Sequence, residues 1–375
     1  MPVLRLFEVQ LTPAAWGKAA LSRWPVTLGV AAGALALLYI GYWFALAGAL
    51  HKGYDTLRAD QARNLVSLVA GKVGTHGFPG RVTLALDAVN LKKSGTPDFF
   101  YEAPGLSISL SPFSPTRGRL ETIASPQRLA FHDAGSGITL KATSQTVMGA
   151  LALSGIGGAL EAAELDVDGL ALTVDEAASG THDDYAAKRL AVALHPGAFA
   201  ENGEPQKDLR FALHGSDVTL PQRFSDILGP TAARAEIDAL LAGGKGGPFR
   251  LDALAREGPR ALRTFFEGDG RLEITHLAVE WGKLDVVAHG ALKLDALHRP
   301  EGTLTVEAAG YRAVMNGLVR RGILARQEAD TIGATLDLLA ALRRDPKGRV
   351  PVVLIFQKGK LFVGPIQAAT LTPLF

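Results

Sequence analysis

Nine histidines are the first candidates for chemistry: His51, His76, His132, His182, His195, His214, His276, His289 and His298. None stands in an H-x-H, an H-E-x-x-H or an i, i+4 pair, the spacings that place two imidazoles on one metal. His182-Asp183-Asp184 is the densest polar cluster, but a metal needs several converging ligands and this triplet reads as a solvated loop. His195, His214 and His289 adjoin strand-like residues, as half-exposed sheet positions do. A serine nucleophile needs a sharp G-x-S-x-G elbow. Gly135-Ser136-Gly137 is not one, and Ser154-Gly155-Ile156-Gly157-Gly158 misses G-x-G-x-x-G because Leu160 takes the last place. Gly243-Gly244-Lys245-Gly246-Gly247 lacks the order of a phosphate-binding loop. Glu161 with Glu164, and Asp166 with Asp168, fall on a presumed polar strand face, where solvation explains them better than glycoside hydrolysis. Arg320-Arg321 and Arg343-Arg344 end helices, where they complement the helix dipole. The residues therefore assign no catalytic, cofactor-binding or metal site, and the expectation is a protein that is not an enzyme.

The elements that carry these residues follow from composition and period. The chain has 375 residues, 47% hydrophobic and 20% charged, with 39 basic against 37 acidic side chains. A net charge of +2 offers no field for nucleic acid. The absence of cysteine removes disulfides, thiolate metal sites and thiol nucleophiles, and suits an oxidising compartment such as a periplasm.

Residues 24–50 contain no charged side chain between Arg23 and His51. A helix needs about 20 apolar residues to cross a bilayer, and this run is long enough. Trp24 on one side and Tyr42 and Trp43 on the other are placed to sit at the two membrane interfaces. Gly29 and Gly33 form only a weak small-residue motif. The expected organisation is a short cytoplasmic tail over 1–23, an anchor over 24–50 and a periplasmic domain over 51–375, with a sub-boundary near 243–248. Cleavage after Ala47 is the alternative, although the apolar stretch exceeds the 7–15 residues usual for a signal peptide. The partner this implies is the lipid bilayer.

After the anchor, Leu57, Ala62, Leu65, Val66, Val69 and Val73 recur at helical spacing and predict a helix over 51–73. From Arg81 the period becomes two, through 82–86, 106–110, 128–131, 138–141, 165–174, 190–194, 209–213 and 217–220. Short alternating runs bounded by turn residues predict an antiparallel sheet with one apolar face. A helical stretch is expected over 224–241, split at Pro230, and another over 252–266, broken near Pro259. Strands return at 271–281, 284–294 and 303–308. Helices follow at 311–321 and 326–344, and a hairpin at 350–357 and 361–368 closes the chain. The fold class is mainly β with helices (α+β): an N-terminal transmembrane helix, then a largely antiparallel, curved sheet trimmed by helices.

Three stretches carry a resemblance. They are His76-Gly77-Phe78-Pro79 before a strand; Trp281-Gly282-Lys283-Leu284 with His289-Gly290-Ala291-Leu292 and Arg299-Pro300-Glu301-Gly302-Thr303-Leu304; and Leu361-Phe362-Val363-Gly364-Pro365. On these the chain resembles an uncharacterised proteobacterial family of single-pass inner-membrane proteins with a periplasmic β-rich domain. The meander is also similar to that of AsmA-like periplasmic proteins. The first resemblance implies topology and location without a mechanism; the second implies a sheet associated with lipid handling. Together with the apolar strand faces, this makes binding or passing lipid, or another apolar envelope molecule, the first functional expectation. The candidate groove is Val82, Leu84, Leu86, Leu106, Ile108, Leu110, Leu284, Val286 and Leu292. The alternative is a structural or assembly factor docking an envelope protein; a hydrolase comes third.

Overall fold

The computed structural model describes residues 17–59, 66–95, 98–122, 125–155, 159–197, 209–243, 249, 251, 253, 259–322, 325–343, 347–363 and 366–374. The chain opens with one 43-residue helix, α1 (Gly17–Ala59). Among the described residues after it, eighteen strands form a single sheet in which every pairing is antiparallel.

Three rows of that sheet are made of two strands laid end to end. β1 (Val66–Val69) and β2 (Val73–His76) run along β3 (Val82–Lys93), which pairs with β4 (Asp98–Ser111). β5 (Ser114–Thr122) and β6 (Gln127–Asp133) share the other edge of β4. β7 (Ile138–Ser144) pairs with β6, β8 (Thr146–Leu153) pairs with β5, and both pair with β9 (Leu160–Glu176). A simple meander continues through β10 (Thr181–Pro196), β11 (Leu209–Thr219), β12 (Thr231–Ala242), β13 (Arg271–Trp281) and β14 (Leu284–Leu294). It ends with β15 (Pro300–Ala309), β16 (Val350–Gln357), β17 (Lys360–Val363) and β18 (Ile366–Thr370). β12 and β13 flank residues 243–248 and pair directly, so the sheet passes that stretch unbroken. Among the described residues, four helices with defined bounds sit in the connections: α2 (Gln222–Leu228), α3 (Pro259–Glu267), α4 (Tyr311–Arg320) and α5 (Arg326–Arg343).

Three expected elements differ. The helix predicted over 51–73 is described to Ala59, within α1; residues 60–65 lie outside the described residues, and 66–69 and 73–76 are strands. Ser67 and Leu68 also fit a period of two, and pairing with β3 supplies ladder hydrogen bonds that helical spacing alone cannot outweigh. The helix predicted over 224–241 is only α2, and the part after Pro230 is β12. Here β12 is held on both sides, by β11 and β13, so tertiary pairing overrides local helix preference. The single strand expected over 361–368 is two, β17 and β18, paired with each other. The helix expected over 252–266 is described from Pro259 on as α3, and residues 254–258 lie outside the described residues.

A line of irregularities crosses the sheet at right angles to the strands. In β3 the buried positions step from Leu86 to Val89, with Asp87 and Ala88 exposed between them and Ala88 at φ 50°. β10 steps from buried Ala187 over exposed Lys188 and Arg189, and β11 from buried Gly215 over exposed Ser216 and Asp217, the latter at φ 48°. β12 steps from buried Ala232 over exposed Ala233 and Arg234. Register places these doublets opposite one another, with Arg189 facing Ser216 and Ser216 facing Arg234. In β9 the line falls at Gly169, φ 61°, where a Cβ would lie 2.8 Å from the Gln145 side chain. Gln145 itself separates β7 from β8 and donates its N–H to the Asp168 carbonyl at 2.9 Å. Each doublet restarts the alternation, so apolar side chains keep to one face on both sides of the line, as a β-bulge allows. Beside the line that face is buried, at Leu86, Val89, Ala103, Val167, Ala187 and Ala232, while the opposite face is exposed there. The sheet therefore creases with its apolar face inward.

Candidate functional site

Cross-strand register joins that inner face into continuous rows. One runs Leu84, Ile108, Leu120, Gly149, Leu165, Val192, Leu213, Ile237, Leu277, Ala288, Val306, Val352, each paired with the next. At about 4.8 Å per strand such a row spans roughly 50 Å. A parallel row two residues away includes Leu110, Gly118, Leu151, Ala163, Leu194 and Phe211. Charged and hydroxyl side chains occupy the other face, as with Glu164, Asp166, Arg189 and His214.

Helices cover the ends of these rows. On β3 and β4, Tyr54 and Leu50 of α1 pack on Leu84, Leu86, Val89 and Leu106. Trp43, Leu46 and Ala47 pack on Val82, which is fully buried. Phe249, Leu251 and α3 cover Leu209 and Leu241 together with Leu160, Leu194 and Leu272. α4 packs against α2, α5 and β14, and α5 against β16. Among the described residues, no buried cluster includes a side chain of β6, β7 or β8. In that middle stretch Leu140, Val147, Leu172 and Val192 are half-buried, while Leu151 and Leu165 are 42% and 41% exposed. Full burial of a leucine is worth about 1.5–3 kcal/mol, which the described residues do not supply at Leu151 and Leu165.

The sequence-derived groove residues divide accordingly. Val82, Leu84, Leu86 and Leu106 are buried under α1, and Ile108 and Leu110 are half-buried beside them on β4. Leu284, Val286 and Leu292 are half-buried on β14, on the same face but separated from the first six by β5 to β13. The structure does not bring the two groups together. The half-exposed centre on β7 to β10 escaped sequence reasoning, although alternation at 147–151 and 163–167 is legible there. Tyr42 and Trp43 lie where α1 meets the sheet; Trp24 lies on α1, and its side chain is outside the described part.

The polar candidates have structural partners. His182 Nδ1 lies 2.6 Å from Asp175 across the β9–β10 hairpin, and Nε2 lies 3.4 Å from Asp184 two residues along the same strand. The Asp175 hydrogen bond, then the Asp184 charge, raises the His182 pKa above its ordinary value. His195 pairs with Glu164 at 3.2 Å and His214 with Asp238 at 3.2 Å, on the polar face. Asp183 is the exception: 5% exposed, it stands at an inner-face position opposite Val174 and pairs with Arg223 of α2. Beyond the crease, a cavity of about 470 Å³ on the polar face is lined by Arg81, Ser109, Arg117, Arg119, Glu164 and His195.

A family described as an uncharacterized protein conserved in bacteria, DUF2125, matches residues 43–371. The chain belongs to this family. The match begins at Trp43, the first buried side chain of α1 among the described ones, and closes just past β18, so it takes in the whole sheet and the docked part of the helix. Neither a curated protein nor a solved structure gives a significant match. α1 is long and apolar enough to cross a membrane, with a candidate span at Ala32–Thr56.

Proposed function

We propose that the chain is a membrane-anchored, non-enzymatic protein of the bacterial envelope that binds or passes lipid, or another apolar envelope molecule, along the inner face of its creased sheet. The anchor lies in the inner membrane and the sheet on its periplasmic side. The observation that carries this reading is the unbroken apolar row, roughly 50 Å long at the usual strand spacing, whose centre on β7 to β10 is half-exposed. Sites for apolar ligands need a mainly hydrophobic lining and few polar groups, which this face offers.

The test is photolabelling of the full chain in membranes by a phospholipid carrying a diazirine on its acyl chain. Labelled peptides should include 140–151 and 163–174, and Leu165→Glu should remove most of that labelling without unfolding the protein, since Leu165 is 41% exposed. Labelling confined to α1 would overturn lipid binding and leave a plain anchor. A second reading, docking of an envelope protein, is favoured by the free edge of β18, which pairs only with β17 among the described residues.

A further inference from the structure

The upper part of α1 and two hairpin tips form one aromatic level. Tyr39 donates to the Pro79 carbonyl, Tyr42 Oη to the Pro112 carbonyl at 2.9 Å and Trp43 Nε1 to the Gly80 carbonyl at 3.0 Å. Tyr39 stacks on Phe113 with centroids 5.9 Å apart, and Phe44 on Phe78 at 6.3 Å. Phe78 belongs to the β2–β3 tip and Phe113 to the β4–β5 tip. Phe113 is 84% exposed and Phe78 50%, a costly placement for two phenyl rings in water.

From this level α1 continues away from the sheet, because successive docked residues Trp43, Leu50 and Tyr54 descend along β3 from Val82 to Val89. Leu35, Leu37 and Leu38 beyond it are 67–71% exposed. Residues 24–42, which carry no charged side chain, extend about 28 Å at 1.5 Å each, close to the ~30 Å hydrocarbon thickness. On the sheet side of the aromatic level, Arg81 follows the first tip and Arg117 lies three residues past the start of β5. Both line the polar cavity, and neither has an ion-pair partner among the described residues. Apolar residues, then rings, then cations is the order in which a bilayer presents hydrocarbon, headgroup boundary and phosphate.

We propose that the tips bearing Phe78 and Phe113 insert into the headgroup layer of the bilayer that α1 crosses, with Arg81 and Arg117 at the level of the lipid phosphates. A single helix leaves the sheet free to rotate about the helix axis. Two further contacts define a plane and hold the β3–β5 end of the creased face against the membrane. The proposal rests on the membrane reading of α1 and not on lipid binding along the sheet.

The chain has no cysteine, so one introduced cysteine is a unique label site. Phe113→Cys, Phe78→Cys, Leu35→Cys and Ala178→Cys in the full chain are each labelled with the environment-sensitive dye NBD. Each is then reconstituted in phosphatidylcholine–phosphatidylglycerol vesicles. Ala178 lies in the exposed β9–β10 turn, at the opposite ends of the strands. At 113 and 78, iodide quenching should fall roughly fivefold below that at 178, and nitroxide placed near the lipid headgroup should quench the dye, as it does for interfacial rings. At 35, only nitroxide deep in the acyl chains should quench. Phe113 is so exposed that its replacement leaves the fold intact, which keeps the test open if Phe78→Cys disturbs Trp43. Iodide quenching at 113 equal to that at 178, with 35 in lipid, overturns the interfacial seat alone. An aqueous signal at 35 takes down the anchor reading and the seat together.

Discussion

His182 shows how a residue that looks ready for metal or acid–base chemistry is used structurally. Its two ring nitrogens face Asp175 across the hairpin and Asp184 on its own strand, and the Asp175 contact that raises the imidazole pKa lowers that of Asp175. A histidine whose folded pKa lies above its unfolded value stabilises the fold fully below the unfolded pKa, and the gain is lost as pH rises through the folded one. NMR titration should therefore place the His182 transition above the ordinary value of about 6.5, and Asp175→Asn should bring it down. A transition at or below that value in the native protein would show that the pair does not form. The site is exposed, so the consequence is local order of the 177–180 turn and not global stability.

At the scale of elements, the connecting helices hold the strands through a small number of defined contacts. α2 places Arg223 on Asp183, a carboxylate 5% exposed at an inner-face position of β10, and α4 donates from Arg320 to the Asp226 and Ile227 carbonyls at 3.1 and 3.2 Å. Gly317 lets α4 approach, since a Cβ there would lie 2.7 Å from Ile227. Arg223→Ala leaves a buried charge unpaired and should cost about 2–4 kcal/mol in denaturant unfolding, discounted because Arg223 itself is half exposed. Adding Asp183→Leu should recover most of the loss, since a hydrophobic side chain suits that face. No recovery in the double variant would mean that Arg223 acts through its packing over the Phe224 ring, 4.7 Å away, and not through Asp183.

At the scale of the whole molecule, the helix and the sheet are one device: α1 both leaves the sheet and caps the first strands of its inner face. The proposed orientation predicts that alkaline phosphatase fused to the C-terminus is active and that GFP fused there is dark, because only the first folds productively outside the cytoplasm. A bright GFP fusion would reverse the topology and with it the periplasmic location. Membership of the family conserved in bacteria fits either orientation, so this measurement decides it.

Much was legible in the residues alone. The charge-free run, the period-two strands and the tight turns at Gly282-Lys283 and Lys358-Gly359 all follow from local chemistry, and β13, β14 and β16 form where alternation predicts them. Tertiary structure decided three things. Trp43, Leu46, Ala47 and Leu50 are as apolar as Leu35 and Leu38, yet the first group docks on Val82 and Leu84 and the second stays bare. Protein interior and lipid select the same residue types, so only the position of β3 divides the run. Residues 66–76 satisfy helical and extended spacing alike, and pairing with β3 chooses between them. Alternation states that a strand has an apolar face, but not whether anything covers it. That answer depends on where helices hundreds of residues apart in sequence come to rest; among the described residues α1 packs on the first strands and α3 to α5 on later ones, and Leu151 and Leu165 between them stay about two-fifths exposed.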